Sequence, residues 1–211
     1  MSSVTDSRPA GDLGGALLEA AAHVIATDGP GRLTVRRVAD EAGTSTMAVY
    51  THFGGMPGLR QAVRREGFAR LSARLAAVPK TDDPIADLAL LGVAYYENAT
   101  ANPDLYRVVF MEEPFNEADA VIGSGAFQYL IDGVQRCIAS DTFDDADPTE
   151  LATQLWALGH GGVTLQLARL LSPEQAASCL VGALLNLFAS FGAGADAARR
   201  SIETAFARRR N

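Results

Sequence analysis

The chain has few of the residues that build disulfide frameworks or metal centres. Its 211 residues include two cysteines and three histidines. Cys137 and Cys179 lie in apolar helical patterns whose spacing fits neither a disulfide framework nor a metal site. We interpret both as buried, small hydrophobic side chains. The histidines are far apart in sequence and form no ligand pair, so we expect no metal and no cofactor.

The chain also lacks the common catalytic motifs. The Gly123–Gly125 segment has neither the spacing of a nucleophile elbow nor that of a dinucleotide fingerprint, and no strand precedes it. Asp144–Asp147 lacks the central Gly and the downstream Glu of a calcium loop. We therefore predict that the protein is not an enzyme. The enzymatic alternative is an all-α enzyme that uses His160 with a nearby acid.

No secretion signal or membrane span is predicted. The first dozen residues are polar and show no signal-peptide pattern, so we expect a cytoplasmic protein. Residues 175–195 carry no charge, but Asn186, Ser190 and several Gly and Ala keep the segment less hydrophobic than a confident span. A helix that is buried on more than one side explains this composition without a membrane.

Positive charge is scarce in the second part of the chain. Between residues 81 and 198 there is no Lys, and three Arg face seventeen acids. Residues 31–75 show the opposite balance, with eight Arg against three acids, within a chain of net charge −7. A basic segment joined to an acidic body is the pattern expected of a two-part DNA-binding protein.

Helical periodicity runs along the whole chain, and no segment shows strand-like alternation. The first helix has Leu13, Leu17, Ala20 and Val24 on one stripe. A further helix is predicted from Pro57 to about Leu75. Breaks in the pattern, several of them at prolines, predict later helices at 84–99, 103–111, 120–139, 148–170, 173–193 and 196–209. We predict an all-α chain with a disordered arm (1–11), a first domain (12–78) and a second domain (79–211).

Residues 33–53, LTVRRVADEAGTSTMAVYTHF, predict a helix-turn-helix. Thr34 caps the first helix, and Gly43 follows it where a left-handed residue is needed. Ser45 caps the second helix, whose Val49 and Phe53 face back to the first. The remaining side chains of the second helix are polar or small, as suits a helix that enters a major groove.

These residues, with the preceding helix from Leu17 to Gly29 and the following Gly58-Leu59, resemble the TetR family of transcription regulators. The resemblance implies an all-α homodimer with an N-terminal helix-turn-helix head of three helices and a C-terminal helical domain that binds a small effector and dimerises. Two positions depart from the family pattern: Thr44 replaces an apolar turn residue, and Met56 replaces a lysine that contacts a phosphate. The change at Met56 removes the charged side chain for one phosphate contact.

The resemblance also implies which residues meet an operator DNA. Arg36, Thr46, Met47 and Ala48 are expected at the base edges of a palindromic site. The following residues are expected to hold phosphates: Thr34, Ser45, Tyr50, Thr51 and His52. The ring of Tyr50 can also pack beneath its own helix.

The second domain is predicted to bind the effector and to dimerise. Trp156 and His160 share a helix face and precede Gly161-Gly162, a run that resembles a Trp-His-Gly subfamily of the family's C-terminal domains. A pocket lining and a packed core histidine are both compatible with this run. The other pocket candidates are Tyr95 or Tyr96, Phe110, Met111, Phe127 and Gln166. Helices 148–170 and 173–193 are expected to form the homodimer interface.

The overall expectation is a repressor released by a small, mostly apolar effector that is neutral or cationic, because few Arg are present to bind an anion. The alternative is a helical ligand-binding or interaction protein whose DNA-reading head is not functional, which the change at Met56 motivates.

Overall fold

The computed structural model describes residues 10–111 and 117–209. Within these ranges the chain is all-α, as predicted, and no strand occurs. The helices are α1 (Ala10–Asp28), α2 (Val35–Glu41), α3 (Thr46–Phe53), α4 (Met56–Ala76), α5 (Pro84–Ala101), α6 (Pro103–Phe110), α7 (Glu117–Ala139), α8 (Pro148–Leu167), α9 (Pro173–Ser190) and α10 (Ala195–Arg209). A short 3-10 turn, Pro30–Arg32, comes after α1. Residues 1–9 of the predicted arm lie outside the described residues.

Proline and capping residues start the helices where the sequence predicted. α5, α6, α8 and α9 each begin at a proline, whose missing N–H costs nothing in the first turn. Asp147 and Ser172 accept from backbone amides at the starts of α8 and α9. The ends differ from the prediction by three residues, because Arg169 takes a φ of 59° after α8 and Gly192 a φ of 102° after α9.

The described residues form two compact units. The first contains residues 10–68, 102–111 and 117–119, and the second contains residues 69–101 and 120–209. The predicted boundary at 78/79 divides the chain once, whereas the first unit also includes α6. The physical reason is packing: Val108 of α6 is buried in the same apolar cluster as α1, α2 and α3.

The core of the first unit contains the stripes read from the sequence. Leu17, Ala20 and Val24 of α1 are buried, with Val38 of α2 and Val49 of α3. Gly67 lies so near α6 that an added Cβ would stand 2.4 Å from Val109 Cγ2. This core holds α2 and α3 in a fixed arrangement.

The core of the second unit is built from α5 and α7 to α10. Its buried members include Val134, Phe143, Phe188 and Ile202. Phe143, in the α7–α8 connection, packs on Phe188 and Phe191 with ring centroids 5.4 and 5.3 Å apart. α8 packs on α9 and α5, and α10 packs on α5 and α9.

The prediction for the two cysteines is confirmed for one and wrong for the other. Cys137 is fully buried in the core of the second unit. Cys179 is exposed, because it lies on the side of α9 that points away from this core. In residues 10–111 and 117–209, no helix is long and apolar enough to cross a membrane.

Candidate functional site

The turn between α2 and α3 has the predicted geometry with one correction. Thr34 Oγ1 accepts from the amide of Arg37 at 3.2 Å, and Gly43 takes a φ of 64°. Ser45 stands at the N-cap of α3, but its side chain caps nothing; its carbonyl oxygen accepts from Ala48 N at 3.0 Å. The expected Ser45 side-chain cap is therefore wrong, and the serine's main chain starts the helix.

The two sides of α3 have different environments. Val49 is fully buried, and Phe53 and Ala48 pack against the core of the first unit. Ala48, a predicted base contact, is half-buried. Met47 and Tyr50 are 69% and 55% exposed, and Thr46, Thr51 and His52 are exposed with them. The outward side of α3 is thus a surface of hydroxyls, a thioether and an imidazole, which we call the α3 surface.

The C-terminal end of α3 is held by close contacts at glycines. A Cβ at Gly58 would lie 1.8 Å from the carbonyl oxygen of Phe53, so the first turn of α4 requires glycine there. The ring of Tyr50 lies beside Gly55, whose φ is 112°. This contact orients Tyr50 while leaving it exposed. Met56, at the position of the family's lysine, is half-buried against the same core.

Arg36 and Arg37 are neighbours with different surroundings. The Arg36 side chain is 89% exposed, and its Nε lies 4.0 Å from Asp40 Oδ2. Arg37 pairs with Asp28 Oδ2 at 2.9 Å and Glu41 Oε2 at 2.7 Å. The Arg37 hydrogen bond lowers the pKa of Asp28. Arg37 therefore connects α2 to the end of α1, whereas Arg36 extends into solvent.

In the second unit, aromatic rings converge on His160. The Tyr95 hydroxyl and His160 Nδ1 are 2.9 Å apart. The Trp156 ring centroid lies 5.6 Å from that of His160 and 6.0 Å from that of Phe127. Burial lowers the pKa of His160 and so favours the uncharged imidazole. We call Tyr95, Phe127, Trp156 and His160 the aromatic cluster.

The remaining pocket candidates lie elsewhere. The Tyr96 hydroxyl bonds to Gln166 Oε1, a second link between α5 and α8. Phe110 and Met111 belong to the first unit. The Phe110 ring packs on Phe68 and Tyr106, with centroids 5.4 and 4.9 Å apart, and Met111 is 50% exposed.

Sequence reasoning missed a buried ion pair in the second unit. Arg136 Nη1 on α7 donates to Asp87 Oδ2 on α5 at 2.8 Å, and the Asp87 side chain is 5% exposed. The amide of Thr81 donates to the same carboxylate at 2.6 Å, and its hydroxyl does so at 2.8 Å. Burial opposes the charge of Asp87, but these donors lower its pKa on balance. The sequence did contain a signal for this burial, because Asp87 shares a helical stripe with apolar residues.

The outward sides of α8 and α9 share an unusual composition, and together we call them the outer face. On α8 this face includes Gln154, Ala157, Gly161 and Leu165; on α9 it includes Ser178, Cys179, Gly182 and Asn186. All eight residues are exposed and none is charged. A Cβ at Gly161 or Gly182 would meet nothing within 4 Å. Exposed helix sides normally carry charge, so the outer face is an exception.

Known protein families match each part of the chain. Residues 17–63 match a family described as bacterial regulatory proteins of the tetR family, and residues 88–188 match one described as the tetracyclin repressor-like C-terminal domain. The resemblance to the Trp-His-Gly subfamily stays a prediction. No curated protein matches the chain.

Solved structures share the fold over most of the chain. A protein of unknown function from Rhodococcus sp. RHA1 has a TM-score of 0.77 at 22% identity, covering 90% of this chain and 99% of its own. A tetR-family bacterial regulatory protein from Rhodococcus RHA1 has a TM-score of 0.65 at 20% identity, covering 86% and 98%. RolR in complex with resorcinol has a TM-score of 0.68 at 15% identity, covering 91% and 93%. With matches to both family domains, the chain belongs to the TetR family of DNA-binding transcription regulators, which are not enzymes.

Proposed function

We propose that the protein is a repressor that binds a palindromic operator as a homodimer and leaves it when a small, mostly apolar effector binds the second unit. The α3 surface carries this proposal. Met47 and Tyr50 are large side chains held 69% and 55% exposed on a short helix whose other side is buried. Such a helix can present its exposed side chains to a major groove while packing of its buried side holds it in place.

The residues of the head have different roles in this proposal. Arg36 donates to a guanine edge, a contact worth about 1–3 kcal/mol of discrimination. Thr46 and Met47 contact neighbouring base edges. Ala48 is half-buried and contributes no more than its methyl group to the base contacts. The phosphate contacts come from exposed groups on α3 and at its start, and from Thr34 at the start of α2, whose hydroxyl already caps that helix. The members of this phosphate set are Thr34, Ser45, Tyr50, Thr51 and His52.

The outer face supports a homodimer through α8 and α9. Two copies joined by a twofold axis bring the same uncharged surface against itself, so no charge is buried without a partner. Gly161 and Gly182 allow close approach of the facing helices. A twofold dimer presents two identical heads and therefore needs a palindromic or nearly palindromic site.

The aromatic cluster supports an effector site in the second unit. Apolar walls with a few polar groups are typical of small-molecule sites. The structural neighbour RolR is solved with resorcinol, an aromatic molecule, and the rings of the cluster suit an aromatic effector. Binding releases DNA only if the effector prefers a dimer whose heads do not fit the operator. A cytoplasmic location goes with this proposal, since a bacterial operator lies in that compartment.

Selection of bound sequences from random duplex DNA by the purified full chain, at two salt concentrations, tests the proposal. We expect a palindrome to be enriched and its affinity to fall steeply with salt, because several phosphates are contacted. Charge reversal at Arg36 should abolish the enrichment. Absence of enrichment, or binding that ignores sequence, would contradict the proposal and favour a ligand-binding or interaction protein with a non-functional head.

A further inference from the structure

A buried hydroxyl without a partner lies beside the aromatic cluster. Within residues 10–111 and 117–209, Thr164 Oγ1 is buried from solvent and makes no hydrogen bond. A helical threonine usually donates to the carbonyl four residues earlier, as Thr153 does to Thr149 at 2.7 Å on the same helix. Leaving a buried hydroxyl unpaired is unfavourable, so this position suits a group that is not part of the chain.

Thr164 continues the stripe formed by Trp156 and His160. The three residues are spaced by four along α8 and so share one side of the helix. From Trp156 to Thr164 the stripe rises about 12 Å at the helical rise per residue. Trp156 is 42% exposed at one end, while Thr164 Oγ1 is sealed at the other. The stripe therefore joins an accessible aromatic ring to a buried polar atom.

Charged residues are absent from the helix segments that carry the aromatic cluster and Thr164. The helix segments that supply the cluster and Thr164 are residues 88–96, 120–131 and 151–168, and none contains Asp, Glu, Lys or Arg. Burial lowers the pKa of His160, which opposes a positive charge on its ring. Arg136, the cation of α7, is engaged by Asp87. A charged ligand in the stripe would lose its hydration without gaining an opposite charge from these segments.

We propose that the effector is an uncharged, elongated two-ring aromatic carrying a terminal hydroxyl, with its outer ring against Trp156 and Phe127 and its hydroxyl bonded to Thr164. This assignment rests on the proposed effector site and narrows its ligand class, removing the cationic option left open by the sequence. Ring-on-ring contact with Trp156 supplies affinity, and the bond to Thr164 selects the hydroxyl over a bare ring.

The single tryptophan of the chain reports on this site directly, since Trp156 is the one Trp in the sequence. Four probes with the same two-ring skeleton separate the chemistries: 4-benzylphenol, diphenylmethane, 4-benzylbenzoate and 4-benzylbenzylamine. Titration of each into the full chain, monitored by Trp156 emission, should give saturable binding that is tightest for the phenol. Equal or tighter binding of the benzoate or the benzylamine, or no binding of any probe, would overturn the proposal.

The variant Thr164→Val tests the hydroxyl contact. It should weaken the binding of 4-benzylphenol about tenfold and leave the binding of diphenylmethane unchanged. It should also raise the melting temperature of the unliganded protein, because an unpaired buried hydroxyl is replaced by a methyl of similar shape. Thr153→Val is the matched control on the same helix and should leave probe binding unchanged. An unchanged ratio of the 4-benzylphenol and diphenylmethane affinities in Thr164→Val would refute the contact.

These titrations need no DNA, which separates the two proposals. If the chain selects a palindrome but binds no probe, the ligand class is wrong and the regulator stands. If it selects no sequence but binds the phenol through Thr164, the ligand class stands and the regulator is wrong.

Discussion

Gly162 of α8 lies directly against Leu180 of α9, and a Cβ at this glycine would stand 2.5 Å from Leu180 Cδ2. The adjacent Gly161 faces the other way, where an added Cβ meets nothing within 4 Å. Gly162 therefore permits α8 to pack closely on α9 within the chain, whereas Gly161 leaves the outer face without a side chain at its position. Two consecutive glycines in the sequence have different structural reasons.

Gly162→Ala should destabilise the fold, because the new methyl collides with the Leu180 side chain, which must leave its packed position or move α9 away from α8. We expect a loss of about 1–3 kcal/mol in the free energy of unfolding, the usual cost of overpacking, measured by urea denaturation. Gly92→Ala on α5 is the control: its Cβ meets nothing within 4 Å, and it should gain about 0.5–1 kcal/mol from reduced backbone entropy. Equal effects of the two variants would contradict the packing described.

Gly161→Glu should convert the dimer to a monomer without unfolding it. The side chain has room within one chain, but in the proposed interface it would bury an unpaired charge next to its symmetry mate. Sedimentation velocity measures the mass, and circular dichroism checks the helix content. Gly92→Glu, an exposed glycine on α5, should remain dimeric. A dimeric Gly161→Glu protein would place the interface elsewhere.

Arg36→Ala should weaken DNA binding, whereas Arg37→Ala should lower stability. Loss of the exposed Arg36 should cost about 1–3 kcal/mol of operator affinity and relax selection at one base pair, with the melting temperature unchanged. Loss of Arg37 removes its ion pairs to Asp28 and Glu41, so the melting temperature should fall. Fluorescence anisotropy on operator variants and thermal unfolding distinguish the two. A thermal loss in Arg36→Ala would show that this arginine supports the fold.

Because of the Asp87–Arg136 pair, the free energy of unfolding should decrease at acid pH. Its hydrogen bonds lower the pKa of Asp87 despite burial, so its stabilisation is complete above the ordinary carboxyl pKa and is lost as the pH falls through the lowered value. Asp87→Asn should cost about 2–3 kcal/mol at pH 7, less than a fully buried pair because Arg136 is partly exposed. Urea denaturation across acid pH should show this difference shrinking. Asp82→Asn, at an exposed neighbour, should cost little at any pH.

The two thiols should differ in alkylation. Burial raises the pKa of Cys137 to about 12, so iodoacetamide should not modify it near pH 8 in the folded protein. Cys179 is exposed on the outer face and should react, faster in the monomeric Gly161→Glu variant than in the dimer. Mass spectrometry locates the adducts, and both thiols should react in denaturant. Modification of Cys137 in the native state would show that the core opens.

Local patterns in the sequence determined much of this protein. Four helices begin at a proline, because proline is compatible with the first turn of a helix and disrupts its interior. These prolines are Pro84, Pro103, Pro148 and Pro173. Thr34 and Gly43 define the ends of α2 through their own backbone and side-chain preferences. The spacing of Val49 and Phe53 alone identifies the inner side of α3. These features depend on residues within one or two turns, so a single sequence contains them.

Only the tertiary structure decided which residues meet across the chain. Nothing near Asp87 in sequence indicates Arg136, which is far along the chain, and the pair forms because α5 and α7 pack together. Arg36 and Arg37 are equivalent in the sequence, and the position of Asp28 at the end of α1 distinguishes them. The same holds for Cys179, whose apolar neighbours in sequence say nothing about the side of α9 on which it lies. Long-range packing is a property of the assembled core, where each helix has one orientation, and the sequence pattern of a single helix does not contain it.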